Sequence, residues 1–256
     1  MTARVSWISL TPVKALALHQ VDEVDVLETG LRGDRRFFLV DGNGRLVNDK
    51  RHGPLQCVRA EYDDGARTLT LRFADGAVVS DVVEAGGEIE TNFHHTPKRA
   101  RLVVGPWNEP LSEVACTAVR LVEPAQPAPD RGPDGAATLL GDGSLTAIAG
   151  VLGVPSLDVR RFRMNFGVEG LDPHAEDGWI GRRVRVGEAV VVPQGNVGRC
   201  AITTQDPETG LRDLDTLGAL ADYRGDVETT EPLPFGVHAA VASPGRVRLG
   251  DPVEPL

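Results

Sequence analysis

The chain reads as mainly β with a few helices. Twenty-nine glycines and eighteen prolines in 256 residues break up almost every apolar run, which favours short strands joined by turns. Apolar and polar side chains alternate over stretches such as Arg67 to Phe73, the two-residue period of a half-buried strand. A 3.6-residue period shows in only a few short segments, too few for a helical bundle. An apolar content of 41% suffices to bury a real core, and the length allows one large or two modest domains.

In order, Arg4 to Leu10 alternates as a strand until Thr11-Pro12 interrupts it, and Val24 to Leu27 is a second strand. Phe37 to Val40 is an apolar strand, Asp41-Gly42-Asn43-Gly44 a strong hairpin turn, and Arg45 to Val47 the return. A second hairpin turns at Ala74-Asp75-Gly76. His94-His95 is not expected to hold a metal, since neighbours on a strand face opposite ways and no further ligand lies at the right spacing. From Pro106, the spacing of Trp107, Leu111, Val114 and Ala115 predicts a helix that opens a second domain, giving domains at 1–104 and 105–256. Val119 to Val122 is a strand. Glu123 to Gly135, with four prolines, is a loop serving as connector or lid.

Thr138 to Leu145 reads as strand, turn and helix start, capped by Ser144 or Asp142, with Leu145, Ile148 and Leu152 on one face. Val159 to Val168 is expected as a strand with Arg161, Arg163 and Asn165 on one side, an arrangement that binds a large polar anion or else forms a solvated basic face. Gly181 to Val192 is a hairpin turning at Gly187-Glu188. Asp213 to Arg224 is a helix packing through Leu214, Leu217, Leu220 and Ala221, and Gly245 to Val253 is a closing strand.

The chemical centre is expected at Cys200. Val190 to Val192 is a buried strand broken by Pro193 and two glycines, which puts Cys200 where a strand end meets a loop. Arg199 beside it favours the thiolate, the form that ligates metals or attacks electrophiles; the plain alternative is an inert, buried small hydrophobe. Asp206-Pro207-Glu208-Thr209-Gly210 then makes a tight turn with Gly210 left-handed.

Charge and cysteine usage narrow the classes. A net charge of −10 argues against nucleic acid or an anionic membrane as the main partner, because both need an extended basic face. Arg4, Pro12 and Lys14 interrupt the first eighteen residues, so neither a signal-peptide core nor a spanning helix is expected there. Three cysteines, Cys57, Cys116 and Cys200, fit a reducing compartment, hence a soluble cytoplasmic protein, and are too few for the roughly four thiolates of an iron–sulfur cluster.

Arg199-Cys200, Thr203-Thr204 and Asp206 to Gly210 together resemble the signature of the MOSC family, named for the C-terminal domain of molybdenum cofactor sulfurases. Arg161 to Asn165 and Ala175-Glu176-Asp177-Gly178-Trp179-Ile180-Gly181 fit the same family in the same order. Pro12-Val13-Lys14 and Gly33-Asp34-Arg35-Arg36 resemble the β-barrel domain that often precedes it. The resemblance implies a barrel-like N-terminal domain, a β-barrel MOSC domain, and molybdenum cofactor (molybdopterin) as ligand. It implies Cys200 as the molybdenum ligand and catalytic centre, and Lys14, Arg36 (or Arg35 next to it), Arg163, Asn165 and Arg199 as groups that hold the cofactor.

Similarity to the amidoxime-reducing branch implies reduction of small N-hydroxylated or N-oxide compounds. The electrons would come from an external donor protein, a flavin reductase with a heme or iron–sulfur carrier, since the chain shows no Gly-rich dinucleotide fingerprint. Two alternatives stand beside this: a sulfur carrier using a Cys200 persulfide, and a cofactor-binding or carrier protein without turnover.

Overall fold

The computed structural model describes residues 2–93, 95–125, 131–229 and 231–256. The protein is strand-rich, with 43% of residues in strands and, among the described residues, three α-helices: α1 (Asn108–Ala115), α2 (Asp142–Leu152) and α3 (Thr216–Arg224). His94 and residues 126–130 of the expected connector or lid lie outside the described residues.

The largest sheet has eight strands and curls into a half barrel. Its order is Val253–Pro255, Val184–Val186, Ala189–Gly198, Pro234–Ser243, Ala137–Gly141, Phe166–Glu169, Arg4–Leu10 and His19–Gln20. Most neighbours are antiparallel; Ala137–Gly141 and Phe166–Glu169 are parallel, and α2 supplies the crossover. The strand at the very start of the chain is thus built into the sheet of the C-terminal half, with Ile8 opposite Phe166. Trp7 covers Gly167, where a Cβ would stand 2.1 Å from the indole nitrogen, so only glycine admits that ring.

The N-terminal half builds a five-stranded sheet from Phe38–Val40, Leu46–Val47, Glu84–Phe93, Thr96–Val104 and Arg120–Pro124, and a three-stranded one from Arg59–Asp63, Thr68–Arg72 and Val78–Val82. Both predicted hairpins form, at 41–44 and 74–76. The helix expected to open the second domain instead packs into the core of the N-terminal half. Trp107, Leu111 and Ala115 of the α1 segment bury against Val13, Leu16, Leu55 and Leu71, and the Trp107 indole donates to Leu69 O at 3.1 Å. Periodicity reveals that a helix has an apolar face but not which sheet receives it. Burying Trp107 and Leu111 there is worth roughly 2–3 kcal/mol each.

Two further local expectations change. The stretch from Val159 is a 3-10 turn (Val159–Phe162), and Arg163 is left-handed at φ 52°; only Phe166–Glu169 is strand. The two arginines therefore diverge: Arg161 buries against Asp213, pairing with both carboxylate oxygens, and donates to Gln205 O at 2.9 Å. Ser144 is not a helix cap. It is fully buried, donates to Glu176 Oε1 at 2.7 Å and accepts from the His174 N–H at 2.8 Å, while Gly141 occupies the cap position of α2. In α3 the buried positions are Thr216, Leu220 and Arg224, and Ala221 is exposed.

Candidate functional site

A cleft of about 600 Å³ opens between the two halves, and all six residues singled out in the sequence line it: Lys14, Arg36, Arg163, Asn165, Arg199 and Cys200. Eight cationic side chains and four carboxylates contribute to its walls, an electropositive hollow in a chain of net charge −10.

Cys200 lies two residues beyond the end of the Ala189–Gly198 strand, which runs on through Pro193 and Gly195 by means of bulges. It caps the turn Ala201–Thr204, its carbonyl accepting from Thr203 N at 3.1 Å and Thr203 Oγ1 at 3.2 Å. Thr203 is in turn tied to Thr216 at the start of α3 by a 2.6 Å hydroxyl pair. The thiol is thus half-buried on a backbone anchored from behind. The other two thiols differ: Cys57 donates to Glu208 O at 3.0 Å and is pushed up by burial and by the Glu208 and Asp206 carboxylates, and Cys116 is exposed at the end of α1.

The cations divide by how they are held. Arg163 pairs with Asp49 at 3.2 Å and donates to Leu16 O at 2.8 Å. Arg35, left-handed at φ 48°, pairs with Asp34 and donates to Arg163 O at 2.9 Å, crossing from one half to the other. Arg36 pairs with Glu123 at 2.5 Å. Lys14 has its backbone N–H on Phe37 O at 2.8 Å, with its ammonium 5.6 Å from the centre of the Phe93 ring. Both Arg35 and Arg36 therefore border the cleft, in different settings.

Two residues play other parts than expected. Arg199 turns its guanidinium inward, donating to Phe235 O at 2.9 Å and Phe162 O at 2.7 Å and stacking over both phenyl rings. Burial, joined by the nearby charge of Arg131, pushes it down to about 9. It braces the cleft floor from the buried side, while Cys200, next along the chain in extended backbone at φ −137°, is half-buried beside it. Asn165 is expected as a neutral donor to an anion, but its amide N–H groups already donate to Asp34 at 3.0 Å and Ser9 O at 3.3 Å, and its Oδ1 accepts from Thr138. It orders the wall by fixing Asp34.

Sequence reasoning missed Arg131 and Glu231. Arg131 Nε donates to Glu231 Oε1 at 2.7 Å, and Glu231 accepts from Gly198 N at 2.9 Å, two residues from Cys200. Burial works to raise the Glu231 carboxyl, but Arg131 and the Gly198 N–H hold it below the usual range. No signal marks this pair, because the partners are 100 residues apart and each sits among prolines.

Among the described residues, no three His, Cys, Asp or Glu side chains gather as a ligand set for a metal ion. One sulfur within a ring of cations suits a metal that arrives already chelated on an anionic small molecule. Arg36 adds to the fit, since its Nε is shielded from solvent and has no partner among the described residues.

Residues 129–254 match the MOSC domain, and residues 2–101 match the MOSC N-terminal beta barrel domain. The chain belongs to the MOSC family. This MOSC protein is 23% identical to the mitochondrial amidoxime-reducing component 1 of Mus musculus, over 97% of this chain and 81% of the relative. It is also 23% identical to the molybdenum cofactor sulfurase of Caenorhabditis elegans, over 89% of this chain but only 32% of that longer protein. Among solved structures, the YUAD protein from Bacillus subtilis aligns with a TM-score of 0.46 at 14% identity, covering 99% of this chain and 94% of that one. No helix among the described residues is long and apolar enough to cross a membrane.

Proposed function

We propose that this MOSC protein binds molybdenum cofactor in the inter-half cleft and reduces small N-hydroxylated or N-oxide compounds. The observation that carries the reading is the meeting of the half-buried Cys200 with Lys14, Arg35, Arg36 and Arg163 in one cavity. Cys200 would supply the soft protein ligand to the metal, and the cations would hold the acidic parts of the pterin. When bound, the cofactor supplies a metal able to exchange two electrons and one oxygen atom with substrate.

The chain's own residues do the rest. The carbonyl hydrogen bonds of Cys200 fix where its sulfur stands, and Asp34 and Asp49 hold Arg35 and Arg163 in place before a ligand enters. The overall conversion takes two electrons and two protons, removes oxygen from the substrate nitrogen and releases water. The electrons would come from a separate flavin- and heme- or iron–sulfur-bearing donor protein.

Metal and pterin analysis of the wild type beside Cys200→Ala tests this. About one molybdenum per wild-type chain, lost in the variant, is expected. Metal-free protein that still reduced an amidoxime would overturn it. The sulfurase similarity supports a second reading, sulfur transfer through a Cys200 persulfide, which cyanide-releasable sulfur in the absence of pterin would favour.

A further inference from the structure

Tyr62 lies on the Arg59–Asp63 strand on the same side as the buried Ala60, and its ring meets Phe37 edge-on at 5.0 Å. Its hydroxyl is shielded from solvent, yet has no hydrogen-bond partner among the described residues. Burial, outweighing the pull of Arg67 and Arg36, pushes the phenol up, so it remains a neutral O–H donor at ordinary pH. Arg36, which lines the same cleft and whose charge acts on Tyr62, has the same peculiarity at Nε, while its far end is clamped by Glu123, itself gripped by Arg67 at 3.2 Å. A buried donor left unsatisfied destabilises a fold unless something accepts from it. Here there are two, one neutral and one cationic, each on a side chain held rigid from behind.

We infer that the Tyr62 hydroxyl and Arg36 Nε form a seat for a phosphate group at one end of the cleft, Tyr62 being a ligand-positioning residue that no motif reveals. A phosphate offers several acceptor oxygens to donors arriving from different directions, and its charge matches the surplus of cations on the cleft walls. The inference rests on the cofactor reading in that the seated group would be the phosphate of the pterin. A free phosphate or another phosphomonoester presents the same oxygens.

The test is thermal unfolding of ligand-free wild type and Tyr62→Phe over a titration of inorganic phosphate, with chloride at matched ionic strength as the control. Phosphate should raise the wild-type melting temperature saturably where chloride does not. Tyr62→Phe should bind phosphate about tenfold more weakly, equivalent to about 1.4 kcal/mol. Without phosphate, the variant should be at least as stable as the wild type, since phenylalanine keeps the contact with Phe37 and removes the orphaned donor. Equal phosphate affinity in the two proteins, no phosphate effect in the wild type, or a ligand-free variant less stable than wild type would each overturn the seat. None of these results touches the Cys200-dependent molybdenum measurement, so the two readings fail separately.

Discussion

Asp34 and Asn165 stand 131 positions apart in the chain, and their side chains meet at 3.0 Å on the wall of the cleft. The Asp34 carboxylate also accepts from Thr11 N at 2.9 Å and pairs with Arg35. One carboxylate therefore joins Thr11, Arg35 and Asn165 at the foot of the Phe166–Glu169 strand. The cleft is a seam between halves, and this contact sets how the seam is aligned.

Asn165→Leu keeps the volume but strands the Asp34, Ser9 and Thr138 partners, and should lower unfolding free energy by about 2–4 kcal/mol. A double-mutant cycle with Asp34→Ala, read by denaturant unfolding, should show a coupling of about 1–2 kcal/mol. Simple additivity would mean the contact does not align the halves.

Arg199→Met should destabilise the protein by roughly 2–4 kcal/mol, because the Phe162 and Phe235 carbonyls lose their buried donor. Denaturant unfolding of the variant beside the wild type checks this; a loss below about 1 kcal/mol would remove Arg199 as the brace of the cleft floor.

His174 and Glu176 set opposite pH limits. Burial, with Arg224 adding and Asp177 opposing, lowers His174 to about 4. The native state thus disfavours its protonation, and stability contributed above pH 6.5 is lost as pH falls from 6.5 towards 4. Burial raises the Glu176 carboxyl despite its bonds from Ser144 and Gly141, so its contribution is complete below pH 4.5 and is lost as pH rises through the folded-state value. Unfolding free energy against pH should flatten on the acid side in His174→Asn, a residue that tolerates the φ of 61° there, and on the neutral side in Glu176→Gln. Slopes identical to wild type would remove these groups from the pH response.

Gly53 and Gly210 touch backbone to backbone across the seam: a Cβ on Gly53 would stand 2.0 Å from Gly210 O, and Gly210 has φ +69°. Neither main chain can yield as a flexible side chain would, so Gly53→Ala should cost more than about 3 kcal/mol in denaturant unfolding. A loss below 1 kcal/mol would show that the halves separate there without penalty.

Local features were legible because their causes are local. The hairpins at 41–44 and 74–76, the helix after Gly141 and the turn at Asp206 to Gly210 follow from proline, glycine and apolar spacing alone, whereas the strand expected to break at Pro193 runs on to Gly198 before Cys200. The presence of the six candidate residues on one cleft followed from motif resemblance, not from any spacing along the chain. What tertiary structure decided was direction and partnership. A 3-10 turn at Val159–Phe162 ending in a left-handed Arg163 separates Arg161 from Arg163, which strand alternation had put on one face. Arg199 faces the core, α1 joins the core of the N-terminal half, and Arg131 meets Glu231. Each outcome turns on which distant carbonyl, carboxylate or apolar face is nearest once the sheets close, and that choice, a competition among contacts far apart in the chain, has no period for a sequence to display.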